Sequence, residues 1–357
     1  MFSLHRKTKR LLGIDISSTS VKLLELSQTV AAGAELYRIE AFAIEPLPPS
    51  AVIEKKIADV DAIGQGIQRA VARAGTKVKR AAVALPGSAV ITKTIALSAA
   101  LSDAEMEAQI QLEADQYIPY PLEEVNIDFD LLGPSSSNPD MVDVLLAASR
   151  RENVDDRVAA LELAGLAAAI VDVQAYAMEK ACTLLLGLVD DHRPEQTVAV
   201  ADVGASTTTL HVLRDGKIVY SREQNFGGNQ LLDEIQYRYG IPRPEAFEHL
   251  VANTLPGNVH HEVIGPFKEA LAQQITRALQ FFYSAGNVQR IDQMILAGGA
   301  AAIADIDRST EGRLGFPVSI ANPFARMGLV VGINAATVAR AAPSMMIATG
   351  LALRAFD

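Results

Sequence analysis

Apolar and polar positions alternate in short runs at the start of the chain, and the period lengthens further on. "RLLGIDI", "VKLLELS" and "LYRIEAFAIEPLP" have strand patterning with short turn signals between them. From 55 to 74 the spacing becomes helical. Ile57, Val60, Ile63, Ile67 and Val71 share one face, and Gly75 is placed to close the helix. "RAAVALPGSAVITKTIAL" then reads as a buried strand. From about 95 the character changes. Ser102 and Glu105 have capping-box spacing, Met106, Ile110, Ala114 and Tyr117 form a helical stripe, and Pro119 and Pro121 stop it. "NIDFDLL" and "MVDVLLAAS" read as strands joined by "GPSSSNPD", and "RRENVDDRVAALELAGL" as an amphipathic helix ending at Gly165. Residues 95–165 are thus expected to form a helix–strand–strand–helix unit inserted into a first domain. "AAAIVDVQAYAMEKACTLLLGLV" returns to a strand running into a buried helix, and "DDHRPEQ" is a linker candidate. Beyond it come "KIVYSREQNFGG" as a strand, helices near 229–240 and 262–285, the strand "IDQMILAGG", and an apolar helical tail, "MMIATGLALRAF".

One strand–turn–strand is written twice. "LLGIDISSTSVKL" (11–23) and "VAVADVGASTTTL" (198–210) align at constant offset: Asp15 meets Asp202, Ser18 meets Ala205, Thr19 meets Ser206 and Leu23 meets Leu210. A tight turn of Gly, Ser and Thr offers backbone N–H groups and hydroxyls to phosphate oxygens. An aspartate at the strand end suits a hydrated Mg²⁺ held against those phosphates. Two such turns face to face would clamp phosphates from both sides. Neither a G-x-x-x-x-G-K-[ST] loop nor a strand followed by G-x-G-x-x-G is present, so the expected phosphate site is of another type. "MILAGGAAAI" adds a third glycine site, where missing side chains at Gly298 and Gly299 would let a ribose or flat ring approach the backbone.

Composition narrows the classes. Hydrophobic residues make up 49% of the 357 and charged residues 21%, which is globular. The net charge of −10 argues against charge-driven nucleic-acid binding. Cys182 is the single cysteine, so neither a disulfide frame nor a thiolate metal cage is expected. The basic group His5, Arg6, Lys7, Lys9 and Arg10 reads first as a solvated tail and second as a contact for an anionic membrane surface, and its apolar sequel stops at Asp15, too early for a signal peptide. No run approaches the roughly 18 uninterrupted apolar residues of a membrane span, so a cytoplasmic protein is expected. His260, His261 and Glu262 lack metal-motif spacing and are expected in a loop, and Glu113 and Asp115 on a solvated helix face.

The three motifs, in this order, resemble those of the actin-like ATPase superfamily: 11–26 its first phosphate motif, 198–213 its second and 294–303 its adenosine motif. "AIVDVQAYAM" and "MMIATGLALR" resemble its two connecting helices. The insert stretches "LEADQYIPYPLEEV" and "ASRRENVDDRVAALELAGL" are similar to the PilM family of type IV pilus assembly proteins, a branch close to FtsA. FtsA continues into a linker and an amphipathic helix, whereas this sequence stops at Asp357.

The resemblance implies an α/β fold of two ribonuclease-H-like lobes with inserted subdomains. In it, 1–94 is the first lobe core, 95–165 the insert, and 166–192 first lobe and connecting helix. Residues 193–340 form the second lobe with a small insert near 229–262, and 341–357 the C-terminal connecting helix. ATP and Mg²⁺ are the implied cofactors. Asp15 and Asp202 would hold the metal through water. Ser17, Ser18, Thr19, Lys22, Gly204, Ala205, Ser206 and Thr207 would face the phosphates, and Gly298, Gly299 and Ala300 the nucleoside. Ser17 departs from the family's usual glycine. Asp172 would position an attacking water, with Gln174 nearby, in an ATPase that is weak or inactive. The implied partner is the short N-terminal cytoplasmic segment of an inner-membrane PilN-like protein, bound at a groove rimmed by Tyr117 and Tyr120, with other pilus motor or platform proteins possible as partners. That places the chain at the inner face of the inner membrane. A small-molecule kinase and an FtsA-like filament former are the competing readings.

Overall fold

The computed structural model describes residues 10–31, 34–135, 138–187, 196–286 and 290–357. Most of the expected linker and most of the basic N-terminal group lie outside them.

The opening strands are β1 (Leu12–Ile16), β2 (Ser20–Ala31) and β3 (Ala34–Pro46), followed by the small hairpin β4 (Val52–Ile53) and β5 (Lys56–Ile57). Helix α1 (Val60–Ala74) starts later than the periodicity suggested, because the Asp59 side chain caps it by accepting from the Ala62 N–H at 2.9 Å. Ile57 therefore belongs to the hairpin. Gly75, at φ 65°, closes the helix as expected.

The stretch 80–97 is two strands and not one. Pro86 and a 3₁₀ turn at Gly87–Ala89 separate β6 (Arg80–Leu85) from β7 (Val90–Ser98). After α2 (Asp103–Tyr117) come β8 (Val125–Pro134) and β9 (Met141–Arg150). The Ser102 N–H and Oγ both donate to the Glu105 carboxylate, at 2.8 and 2.7 Å, bearing out the capping spacing. Strands β7, β9 and β8 make an antiparallel sheet against which α2 packs through Met106 and Ile110. The insert's sheet thus begins at Val90. Helix α3 (Arg151–Leu163) leaves it: Ala160 and Leu161 are buried with Ile63 and Ile67 of α1.

The chain continues with β10 (Ala167–Val173), α4 (Gln174–Gly187), β11 (Thr197–Val203), β12 (Thr208–Arg214) and β13 (Lys217–Gln224). Next are α5 (Gly228–Tyr239), α6 (Arg243–Ala252), the short turn α7 (Gly257–Val259) and α8 (Gly265–Ser284). The last elements are β14 (Gln293–Ala297), α9 (Ile306–Leu314), β15 (Val318–Ile320), β16 (Gly328–Leu329), α10 (Ala335–Ala341) and α11 (Met346–Leu353). Helix α6 escaped the sequence reading because, of its ten residues, Ala246 and Leu250 are the buried ones, and Pro244, a breaker in a helix interior, is tolerated in the first turn. His260, His261 and Glu262 lie in a π-helical turn leading into α8, not in a loop, and Glu262 accepts a 2.7 Å bond from the Tyr239 hydroxyl.

Two sheets repeat one plan. The first runs β10-β6-β1-β2-β3-β16 and the second β13-β12-β11-β14-β15. In each, the first strand pairs antiparallel with the second and parallel with a later one, the ribonuclease-H-like order. β16 comes from the second half of the chain but pairs with β3, tying the lobes. Helices α1 and α3 cover one face of the first sheet, and α5 to α8 one face of the second. The inner faces meet α11 and α4: Ala348 and Ala352 pack with Leu24 and Ile39, and Met178 and Cys182 with Val198 and Ile295. This is the actin-like ATPase fold.

The helical run Ala335–Phe356 has the length and apolar character to cross a bilayer, with mean hydropathy 1.2. It is 61% buried inside the protein, which makes it the core element between the sheets. Pro343 breaks it into α10, a 3₁₀ turn and α11.

Where α11 crosses its neighbours no side chain fits. A Cβ on Gly350 would lie 1.8 Å from the Ala177 carbonyl oxygen of α4. We expect Gly350→Ala to destabilise by about 3 kcal/mol, through overpacking that only backbone movement can relieve. Gly312→Ala, inside α9 with open space around it, should be neutral or stabilising by about 0.5 kcal/mol. Urea unfolding of both variants checks the contrast.

Candidate functional site

The two turns are built alike to the hydrogen bond. Ser17 N–H donates to Ser20 C=O at 2.9 Å, and Gly204 N–H to Thr207 C=O at 2.9 Å. The registers match as well, with Asp15 opposite Lys22 and Asp202 opposite Thr209. Ser17 replaces glycine without strain because it does not adopt positive φ. Its hydroxyl donates to the Ser20 carbonyl at 2.9 Å and accepts from the Ser20 N–H at 3.2 Å. Ser17 therefore closes the turn with its side chain, leaving Ser18 and Thr19 at the tip. In the second turn the tip is Ala205 and Ser206.

Lys22 does not stand free to meet a phosphate. Its Nζ donates to Asp15 Oδ2 at 2.7 Å, and both side chains are nearly buried. The cross-strand register puts them side by side, and a buried carboxylate without a counter-charge would be costly. Burial pushes the Asp202 carboxyl up from its ordinary range. Lys22 opposes that, Asp15 adds to it, and Lys55 opposes it. The two aspartates are therefore close enough to feel each other, and Lys22 and Lys55 are the nearby cations that favour the ionised form of Asp202. Such a pair of acids fits a divalent cation with water in its shell. Among the described residues no group of three metal-ligating side chains occurs, so the protein alone supplies too few ligands, and phosphates would complete the set.

The third motif abuts the second turn. Gly298 has φ 87°, and a Cβ there would sit 2.3 Å from the Val203 carbonyl oxygen and 2.6 Å from Asp202 Oδ1. Only glycine meets both demands. Gly298 N–H donates to Pro343 C=O at 2.7 Å. Gly299 faces open space, and Ala300 is buried beside it. Gly299 is thus the one residue of this motif with open space where a side chain would stand, next to the second turn.

The sequence reading missed the brace beneath the second turn. Gly228 N–H donates to Gly204 C=O at 2.9 Å, Asn229 N–H to Ala205 C=O at 2.7 Å, and the Asn229 amide to Ser206 Oγ at 3.2 Å. A Cβ on Gly227 would meet the Ala205 carbonyl oxygen at 2.5 Å. The signal was the Gly-Gly-Asn after the β13 strand.

Asp172 is not arranged as a water-positioning acid. Its Oδ2 accepts from Arg354 Nε at 2.8 Å and its Oδ1 from the Val173 N–H at 2.7 Å. Both oxygens are taken, and the side chain is 8% exposed. Two residues on, Gln174 lines a cavity of about 450 Å³ together with Asp202, Thr209, Tyr176, Lys55 and His211. Asp172 does not line it, nor do the turn tips.

Tyr117 and Tyr120 lie away from this cleft, at the end of α2. Both are half-buried. The Lys93 ammonium sits 5.7 Å from the Tyr117 ring centroid, and the Arg150 guanidinium 4.2 Å from that of Tyr120. Glu113 accepts from Gln109 at 2.7 Å, and Asp115 is exposed.

His211 is buried, with Nδ1 2.8 Å from Ser221 Oγ. Burial first, and then Lys55, push it down from 6.5 to about 4. Its folded value lies below its unfolded one, so the native state resists protonation. Stability is full above about 6.5 and falls as pH drops towards about 4, by up to roughly 3 kcal/mol at 1.36 kcal/mol per unit. His211→Asn should remove that component, flattening the difference between unfolding free energies measured at pH 7 and pH 4.5.

Comparison with known proteins agrees with the architecture. The chain superposes on a solved PilM–PilN type IV pilus biogenesis complex with TM-score 0.78 and 27% identity, over 97% of this chain and 98% of that one. It also superposes on ethanolamine utilization protein EutJ from Carboxydothermus hydrogenoformans, with TM-score 0.54 and 16% identity, over 96% and 88% of the two chains. The family model for type IV pilus assembly protein PilM matches residues 13–356. With that match running through both turns, the third glycine motif and the insert, the chain belongs to the PilM family of type IV pilus assembly proteins.

Proposed function

We propose that the protein is an ATP–Mg²⁺-binding scaffold of the pilus assembly machinery at the cytoplasmic face of the inner membrane. The observation that carries the nucleotide reading is the pair of turns with matching backbone closure, each led by an aspartate, with Gly298 packed on the second turn and Gly299 open beside it. Asp15 and Asp202 hold the hydrated metal, and the tips 17–19 and 204–207 meet the phosphates. Lys22 reaches phosphate from its place beside Asp15 once the metal supplies the carboxylate's counter-charge. Bound ATP supplies the charge that fixes the two lobes relative to each other.

The partner is the N-terminal segment of a PilN-like inner-membrane protein. Support comes from the matched structure, which is a PilM–PilN complex. The segment docks at the Tyr117–Tyr120 corner, where half-buried rings and the cations Lys93 and Arg150 offer apolar and polar contacts together. The chain reaches the membrane through that partner.

Turnover is slow. Asp172 is held by Arg354, and Gln174, a neutral amide, orients water but is a poor proton acceptor. The same engagement of Asp172 weighs against a small-molecule kinase, which needs a free acid as base at the cleft.

Saturating ATP–Mg²⁺ should stabilise the folded state by about 2–4 kcal/mol and raise the melting temperature by a few degrees. Asp15→Ala should remove most of that shift, and a melting curve unchanged by ATP–Mg²⁺ in the unaltered protein would reject the nucleotide site. Tyr117→Glu should lower affinity for a synthetic PilN N-terminal peptide at least about tenfold, the loss of one interface anchor, while keeping the ATP shift. Peptide binding that survives the change takes this corner out of the interface.

A further inference from the structure

Lys55 is presented to the cleft by a turn that no local preference favours. It and Glu54 form the two-residue loop between β4 and β5, with φ of 65° and 48°. That geometry is the left-handed pair for which Asn-Gly is usual, and non-glycine residues hold it at a cost of about 1–2 kcal/mol each. The hairpin is held from below. Ala51 and Val52 are buried in the first-lobe core, and Ala58 N–H donates to Ala51 C=O at 2.9 Å. The strain therefore has a fixed outcome: one ammonium group aimed from the first lobe at the second.

There Lys55 forms a hydrogen-bonded ion pair with Glu223 of β13. The pair bridges the lobes, and both side chains keep some solvent contact, 21% and 31% exposed. A pair of that kind is weak, about 0–1 kcal/mol. Two other cations near the cleft are engaged differently. Lys22 is nearly buried against Asp15, and Arg222 stacks its guanidinium 3.6 Å from the Phe281 ring centroid. Lys55 also lines the cavity that contains Asp202, and its charge helps to hold the Asp202 carboxyl down. It is thus a loosely held cation within the field of the acid that leads the second turn.

A nucleoside triphosphate clamped between the turns brings more negative charge to this end of the cleft than a diphosphate does. An ammonium–phosphate contact is charge-assisted and stronger than a solvent-exposed carboxylate pair. We propose that Lys55 senses the terminal phosphate: it stays on Glu223 in the nucleotide-free and diphosphate states and transfers to the terminal phosphoryl group of a bound triphosphate. The inference rests on the nucleotide reading above. It adds a residue that no turn motif contains and a cross-lobe tie that is exchanged according to the nucleotide.

The test is titration calorimetry on the full chain with Mg²⁺ and either ADP or the non-hydrolysable adenylyl imidodiphosphate. Lys55→Met should weaken the triphosphate analogue about tenfold, the scale of one charge-assisted contact, and leave ADP within about twofold. Glu223→Gln should strengthen the analogue severalfold by removing the competing partner, and the double variant should behave like Lys55→Met alone. Melting curves without nucleotide establish that each variant is folded. If Lys55→Met weakens both ligands equally, or neither, or if Glu223→Gln changes nothing, the proposal falls while nucleotide binding stands. If the unaltered protein binds neither ligand, the nucleotide reading falls with it.

Discussion

Two backbone contacts without room for a methyl group set the geometry on which the cleft depends. Gly350 of α11 lies against the Ala177 carbonyl of α4, and Gly13 of β1 against the Ala348 carbonyl and Ala352 N–H of α11, where a Cβ would come within 2.3 and 2.5 Å. Helix α11 rides on the first sheet, α4 on the second, and they touch each other. Each sheet's position is therefore fixed relative to one helix, and the helices relative to each other, at backbone distance. Close packing transmits such placement with little slack. The aspartates near the ends of β1 and β11 come within each other's electrostatic reach because of it.

That proximity is electrostatically unfavourable for two carboxylates. Asp15, Asp202 and Glu223 are balanced by Lys22 and Lys55, and burial still pushes Asp202 up. Charge left over in a buried site is a cost in stability that a bound cation–phosphate complex can relieve, the usual trade between stability and a preorganised site. The Ser17 hydroxyl and the Gly227–Asn229 brace make the turns rigid before anything binds, so the ordering cost of binding is already met by folding.

The insert is independent of this arithmetic. Its sheet β7-β9-β8 and α2 have their own apolar cluster of Ile95, Met106, Ile110, Val144 and Leu146. It joins the first lobe through the 3₁₀ turn after Pro86 and through Arg157 of α3. That guanidinium is buried and donates to Ala84 C=O at 2.9 Å and Asn153 C=O at 2.8 Å. Burial lowers it to about 10, still above neutral pH, so a positive charge sits at the junction. The helix that leaves the insert is thereby tied to β6, the strand next to β1.

Sequence alone determined whatever is settled within a few residues. Turn chemistry after an aspartate, written twice at one offset, produced two hairpins with the same register and the same backbone closure at the turn. Gly75, the Ser102–Glu105 spacing and the proline stop after Tyr117 acted where they stand. Tertiary structure decided what depends on partners far along the chain. The apolar run 80–97 looks uniform, yet β6 pairs with β1 while β7 pairs with β9, because a buried strand's pattern does not name its neighbour. Asp172 was a candidate to position water, and its engagement by Arg354, 182 positions away, could not be read from its own segment. Lys55 carried no motif at all; its meaning comes from Glu223, 168 positions away on the other lobe. Periodicity and turn preference are properties of a segment, whereas charge pairing, strand adjacency and the space left at a glycine are properties of what the fold brings against it.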